Sequence, residues 1–380
     1  MMQDEYLTDA ITVAGSYHQA RLFRPRTEGG YYMERPTSTV AFQPNLALYP
    51  PAGPWPVVES TTADPDILRR ARDGADKLNM QFDLWLVTLH SSTLGQAHPE
   101  LCVQNLVGDQ YSFSLCPSQP RVRAYATGLV NDVCQQVQPH TLLLESASFM
   151  PSSHDTYPLR VLTHIGEAAH WLLGLCFCSS CLARAQASDI DALGALYDAR
   201  SLLPALLDEG GDSLAEGAAP SPLGPILVGW SRLRAYAEMR MGVVTDLLKE
   251  MCQAAHDAGV RVEVMVNADV GDVNRAWSVG FDLRTLGEIA DGAAVQVGRG
   301  GANGVRAEMS SLRALAPTLS ASAALNAGFP ATPDRDTLIA SAAAAAETSV
   351  AAIRYQNWGL LSGERLGWVR AANAALLDRA

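Results

Sequence analysis

Three thiols fall within six residues in Cys176-Phe177-Cys178-Ser179-Ser180-Cys181, a C-x-C-x-x-C run. Such a run suits a divalent metal better than packing, because a closed zinc–thiolate site takes four sulfurs at the corners of a tetrahedron. Cys116, in Leu115-Cys116-Pro117-Ser118, offers the fourth sulfur. The expected ligands of a structural Zn2+ are therefore Cys116, Cys176, Cys178 and Cys181. Cys102 is an alternative fourth ligand. Cys134 and Cys252 fall on helical stretches and read as core. The competing reading of the run is a set of reduced, buried thiols. Its spacing fits none of the usual iron–sulfur patterns.

The second centre of chemistry is Glu145, which directly follows Leu142-Leu143-Leu144. A carboxylate at the end of an apolar strand is costly to bury unless it is paired or has work to do. Glycoside hydrolysis needs two carboxylates, one acting as acid and the other as base or nucleophile. Glu145 is the expected general acid/base. Its partner is left open between Asp269 and Asp155, and the alternative role for Glu145 is an ion pair with a loop arginine.

These residues must be held by regular elements. Apolar stretches at 11–15, 37–42, 82–89, 141–144, 261–266, 293–297, 319–325 and 352–355 read as strands, and amphipathic stretches between most of them read as helices. Alternation of this kind predicts parallel strands, and eight units predict a closed (β/α)8 TIM barrel. A doubly wound sheet is the alternative, but Gly15-Ser16-Tyr17-His18 lacks the dinucleotide-binding glycines. The whole chain, 1–380, reads as one barrel domain. An excursion after strand four, 146–227, carries the cysteine run and a Gly/Ala/Pro-rich linker. Residues 98–114 read as a long polar loop, and the glycines of 298–304 as a flexible one.

A barrel of this type builds its site at the C-terminal strand ends. The residues there are Tyr17, His18, His90, Asn267, Asn326, Tyr355, Asn357 and Trp358. They are mostly polar or aromatic and carry no cationic cluster, so they suit a neutral, hydroxyl-rich ligand. Each also has a structural alternative: a hydrogen-bonded scaffold histidine, or an asparagine capping a helix.

The chain has 380 residues, of which 48% are hydrophobic, with a net charge of −12. This size allows a large core, and the acidity argues against nucleic acid or an anionic membrane as partner. Seven cysteines, three of them bunched, do not form a disulfide framework. The N-terminal residues lack a signal-peptide pattern and no apolar run reaches spanning length, so the sequence reads as cytoplasmic. A homo-oligomer is left open.

The stretch Leu115-Cys116-Pro117-Ser118-Gln119-Pro120 before a helix, the strand ending in Glu145, and the later C-x-C-x-x-C together resemble the catalytic barrel of glycoside hydrolase family 42 β-galactosidases. The resemblance covers roughly residues 80–185. The chain is similar also to alanine-rich actinobacterial proteins of this barrel type. What the resemblance implies is the barrel, zinc on the four cysteines, and an acid/base glutamate at the position of Glu145. Two departures stand beside it. Leu144 occupies the place of the family's asparagine, and Ala324-Leu325-Asn326 stands where the family has its nucleophilic glutamate. The expectation is a glycoside hydrolase-like enzyme acting on a neutral sugar. The alternative is a sugar-binding protein on a degenerate glycosidase barrel.

Overall fold

The computed structural model describes residues 5–28, 30–59, 64–154, 165–209, 223–297 and 300–378. The chain begins with β1 (Ala10–Tyr17), the hairpin β2 (Ala20–Phe23) and β3 (Tyr32–Arg35), and the short β4 (Thr39–Val40). It continues through α1 (Ile67–Lys77), β5 (Gln81–Val87), α2 (Ser92–Ala97), the hairpin β6 (Cys102–Gln104) and β7 (Gln110–Leu115), α3 (Pro120–Val137) and β8 (Thr141–Glu145). Helices α4 (Glu167–Leu173), α5 (Ser179–Ala187), α6 (Ala192–Glu209), α7 (Leu223–Gly229) and α8 (Ser231–Asp257) come next. Alternation then resumes with β9 (Arg261–Met265), α9 (Leu283–Leu286), β10 (Gly292–Gln296), α10 (Gly301–Leu315), β11 (Ala321–Leu325), α11 (Arg335–Glu347), β12 (Ala352–Tyr355) and α12 (Gly363–Leu377).

One eight-stranded sheet runs β12-β11-β10-β9-β8-β5-β1-β4. From β1 to β12 every neighbouring pair is parallel, and β4 is antiparallel to the end of β1. This is a mixed α/β fold around a curled, parallel-rich sheet. It departs from the expected closed barrel at strand two. A parallel neighbour needs a crossover of a dozen or more residues, usually a helix. Here the segment after β1 folds into the β2–β3 hairpin, so the chain returns antiparallel. Thr39 and Val40 pair with β1 and Ala41 N–H donates to Gly15 O, and β5 takes the place beside it. The polar stretch 98–114 also differs from expectation. It forms the β6–β7 hairpin, whose turn is organised by Asn105 Oδ1 accepting the N–H groups of Val107, Gly108 and Asp109. The glycines at 300–304 open α10, with Gly300 in the left-handed region at φ 78 as its N-cap.

Side-chain alternation sorts the strands into two faces. Leu84 and Leu86, Leu142 and Leu144, Val262 and Val264, and Val295 point to the helices and join the main core. Leu143, Met265 and Ala294, with Trp85, make a second, smaller core on the inner face of the curl. Below this apolar layer lies an ion layer. Arg354 on β12 donates to Asp83 Oδ2 on β5 at 2.7 Å and to Glu263 Oε2 on β9 at 3.2 Å. Ser322 on β11 donates to the same Glu263 oxygen at 2.7 Å. Arg354 also reaches Thr12 on β1 at 3.1 Å. The two ends of the curl are therefore joined through this guanidinium, since no backbone ladder between β12 and β1 occurs among the described residues.

The long α8 follows the helical period on its buried side, with Leu233, Tyr236, Arg240, Val244, Leu247 and Met251. It ends at Gly259, whose φ of 73 the absence of a side chain permits. No helix among the described residues is long and apolar enough to cross a membrane.

Candidate active site at the strand ends

Glu145 is the last residue of β8. Its carbonyl accepts both the N–H (3.0 Å) and the hydroxyl (2.8 Å) of Thr88, just past the end of β5. Ser146, the next residue, has φ 53, a left-handed conformation that costs a non-glycine residue roughly 1–2 kcal/mol. Strain of this kind persists only where the surroundings hold it, and it collects at functional sites. The side chain of Glu145 rises from the inner face above Leu143 and beside Trp85.

Asp269 comes from the turn after β9. Asn267 secures that turn: its amide donates to Gln296 O at 3.0 Å and accepts from Gln296 N at 2.8 Å, stapling the ends of β9 and β10 together. The Asp269 side chain is 5% exposed. It faces His154 Nδ1 at 3.5 Å, and His154 Nε2 lies 3.3 Å from His90 Nδ1. His90 stacks on His18 with ring centroids 4.4 Å apart, and His18 stacks on Tyr17 at the same spacing. Tyr17 meets Trp85 edge-on at 5.4 Å. A continuous run of groups thus passes from Asp269 through three histidines to Tyr17 and Trp85.

Burial sets the protonation of this cluster. It pushes the Glu145 carboxyl up to about 8, reinforced by the charge of Asp269 and partly offset by the indole of Trp85. Burial alone raises Asp269 to about 7. His90 is driven down to about 2, by burial first and then by His154 and His18. His18 is lowered, again chiefly by burial. Three shielded polar atoms here have no hydrogen-bond partner among the described residues, Glu145 Oε2, His90 Nε2 and Trp85 Nε1, and Asp269 Oδ1 has the longer contact to His154. Buried polar groups are ordinarily satisfied by protein or by ordered water, so these atoms are open to a hydrogen bond from a water or a ligand.

Two clefts flank the cluster. The larger, about 510 Å³, is lined by Asp269, Gln296, Glu308, His170, Trp171 and Arg275, among others. The smaller, about 220 Å³, is lined by Tyr17, Trp85, Asn357, Leu360 and the Arg35–Glu59 ion pair.

Glu145, Asp269, Tyr17, His18 and His90 are therefore brought together, and Asn357 lines the adjoining cleft. Asn267 is fully buried and braces the site from behind. Tyr355 points away, its hydroxyl donating to Asn373 on α12 at 2.9 Å. Trp358 packs edge-on against Tyr6, and Asn326 accepts the N–H of Gly328 to shape its own turn. Asp155 lies outside the described residues. Trp85 and His154 were missed as members of the site. Alternation along β5, with Asp83, Trp85 and Val87 sharing a face, is the signal that would have found Trp85.

The cysteines form a separate centre. The sulfurs of Cys116, Cys176, Cys178 and Cys181 lie within 4.8 Å of one another, all buried. Cys116 Sγ is 3.5 Å from Cys181, 3.6 Å from Cys178 and 3.7 Å from Cys176. A disulfide would require about 2 Å. Four sulfurs around a metal with bonds of about 2.3 Å would stand about 3.8 Å apart, so the group can hold a metal ion. Gln104 N and Gln119 Nε2 point at the sulfurs of Cys176 and Cys178, donors of the kind that steady thiolates. Cys102 is elsewhere, against the carbonyls of Gly95 and His98.

No family model and no curated protein matches the sequence. Solved structures do match the fold. The β-galactosidase of Marinomonas ef1 aligns at TM-score 0.54 and 12% identity over 85% of this chain and 53% of its own. The α-L-fucosidase isoenzyme 2 of Paenibacillus thiaminolyticus aligns at 0.52 and 10%, over 90% of this chain and 42% of its own. The PgaB (BpsB) glycoside hydrolase domain of Bordetella bronchiseptica aligns at 0.51 and 11%, over 83% and 81%. At these identities the likeness establishes a glycosidase-like fold. The chain spans about half the length, or less, of the first two enzymes.

Proposed function

We propose that the chain is a glycoside hydrolase-like enzyme acting on a neutral sugar or glycoside, with Glu145 as general acid and Asp269 as general base. The observation that carries this reading is the pair of shielded carboxylates at the strand ends, both raised by burial, with neither paired to an arginine or lysine among the described residues. Around neutral pH Glu145 keeps its proton while Asp269 is the first of the two to lose its own. An acid/base pair needs that difference. Glu145 would give its proton to the departing glycosidic oxygen as the bond to the anomeric carbon breaks. A water would add to that carbon and pass its proton to Asp269, giving inversion. Strand seven ends in Asn326, which supplies no nucleophile for a retaining route. Tyr17 and Trp85 would offer aromatic faces to the sugar ring. The glycosidase names of the structural neighbours are consistent with this reading, and family 42 remains the finer assignment suggested by the motifs.

In the same reading the four cysteines hold zinc, which would supply a closed, structural crosslink and no open catalytic position. It would pin the start of α5 to the turn between β7 and α3. The chain, 1–380, would be one barrel-type domain with 146–227 as its excursion.

The test is a panel of aryl glycosides with good and poor leaving groups. Glu145→Gln should lower kcat about 10²–10⁴-fold for poor leaving groups and far less for good ones, while Asp269→Asn should impair both. Unchanged turnover by Glu145→Gln on every substrate sinks the assignment. The missing carboxylate at strand seven favours a second reading, a sugar-binding protein. Thermal stabilisation by a sugar with no cleavage of any anomer would select it.

A further inference from the structure

Arg240 is the largest fully buried side chain, 2% exposed, and makes no ion pair with a carboxylate among the described residues. Its Nη1 donates to Ser278 O at 3.1 Å and its Nη2 to Gly174 O at 3.2 Å. Nε has no partner, and the guanidinium lies over the Phe149 ring at 4.3 Å. Two carbonyls and a ring do not compensate a buried cation, which needs a counter-charge.

Gly174, whose carbonyl accepts from Arg240, leads into the cysteine run. That residue is two positions before Cys176, and Tyr236, one helical turn before Arg240 on α8, donates to Cys176 O at 2.6 Å. Residues four apart share a helix face, so α8 presents both side chains to the chain entering the cysteine cluster. Arg240 and Tyr236 thus hold two nearby points on the chain entering the cluster, the carbonyls of Gly174 and Cys176. Four neutral thiols offer no counter-charge. Four thiolates around a divalent metal form a dianion.

We infer that Arg240 is the counter-ion of a divalent-metal tetrathiolate at Cys116, Cys176, Cys178 and Cys181, and that it ties the cluster to the wall of the cleft containing Asp269. Arg240 and Ser278 both line that cleft. The guanidinium thus joins Gly174, two residues before Cys176, to Ser278 in the segment after β9. It is a positioning residue. The inference rests on reading the four cysteines as a metal site.

Two variants of the full chain separate charge from hydrogen bonding. Arg240→Lys keeps the cation and loses the fork, whereas Arg240→Gln keeps donors and loses the cation. Zinc affinity is measured by competition with a chromophoric chelator. A counter-ion requires Arg240→Gln to bind zinc about 10–100-fold more weakly, the range for loss of a group supporting metal ligands, and Arg240→Lys to stay close to the unaltered chain. Melting adds a second readout. Arg240→Gln should lower Tm in the zinc-loaded protein and raise it, or leave it unchanged, in the stripped protein, where the cation has nothing to neutralise. Equal Tm losses in both states, or Lys as damaging to affinity as Gln, overturn the counter-ion role. An unaltered chain that takes up no zinc overturns the metal reading itself, a separate failure.

Discussion

Two pairs of carboxylates are buried on the inner face of the sheet, and they are treated in opposite ways. At the base, Asp83 and Glu263 share Arg354, with Ser322 completing the layer. At the strand ends, Glu145 and Asp269 have no arginine or lysine partner among the described residues; Glu145 keeps an oxygen without a hydrogen-bond partner, and Asp269 faces the His154 ring at 3.5 Å. The paired layer holds the fold together. The unpaired one is raised in pKa and therefore able to exchange protons near neutrality. A charge that is satisfied stabilises, and a charge left unsatisfied is available for chemistry.

The contrast can be broken most forcefully from below. Arg354→Met leaves two buried carboxylates without their cation and should cost about 3–5 kcal/mol in urea unfolding. A variant as stable as the parent would mean the layer is dispensable. The opposite sign is expected above. Glu145 titrates at about 8 when folded and near its ordinary 4.5 when unfolded. Its protonated form favours folding, so this contribution is complete below the unfolded value and lost as pH rises through the folded one. Glu145→Gln removes that loss. It should be more stable than the parent by a few kcal/mol at about pH 9 and equal to it at about pH 4. A fall in stability at both pH values would place Glu145 among the structural charges. The smallest effect is expected where Arg354 meets solvent: Thr12→Val should change unfolding by no more than about 0.5 kcal/mol. A larger loss would make this contact part of the joint between the two ends of the sheet.

Much of the fold was legible because local rules and tertiary outcome agree. Seven of the expected strands occupy the parallel part of the sheet, and α8 stops at Gly259 as its sequence suggests. Strand two was not legible. Residues 37–42 have a strand's composition, but what decided their direction was the hairpin before them. The candidate site's clustering was legible at Glu145 and at the cysteines, where residue type is costly or conspicuous. It was less so at the asparagines. Asn267, Asn326 and Asn357 look alike in sequence at strand ends, yet one braces two strands, one shapes a turn and one lines a cleft.

The sequence by itself determined the parallel strands, the carboxylate after three leucines, and three thiols in one short run. These follow from periodicity and from the chemistry of neighbouring residues. Only the tertiary structure decided which carboxylate faces Glu145, which residues surround it, and what neutralises each buried charge. Asp83, Glu263 and Arg354 are 180 and 91 residues apart along the chain, and Glu145 and Asp269 are 124 apart. Burial and Coulomb interaction depend on distance through the folded protein, which the curl of the sheet sets and no local pattern encodes.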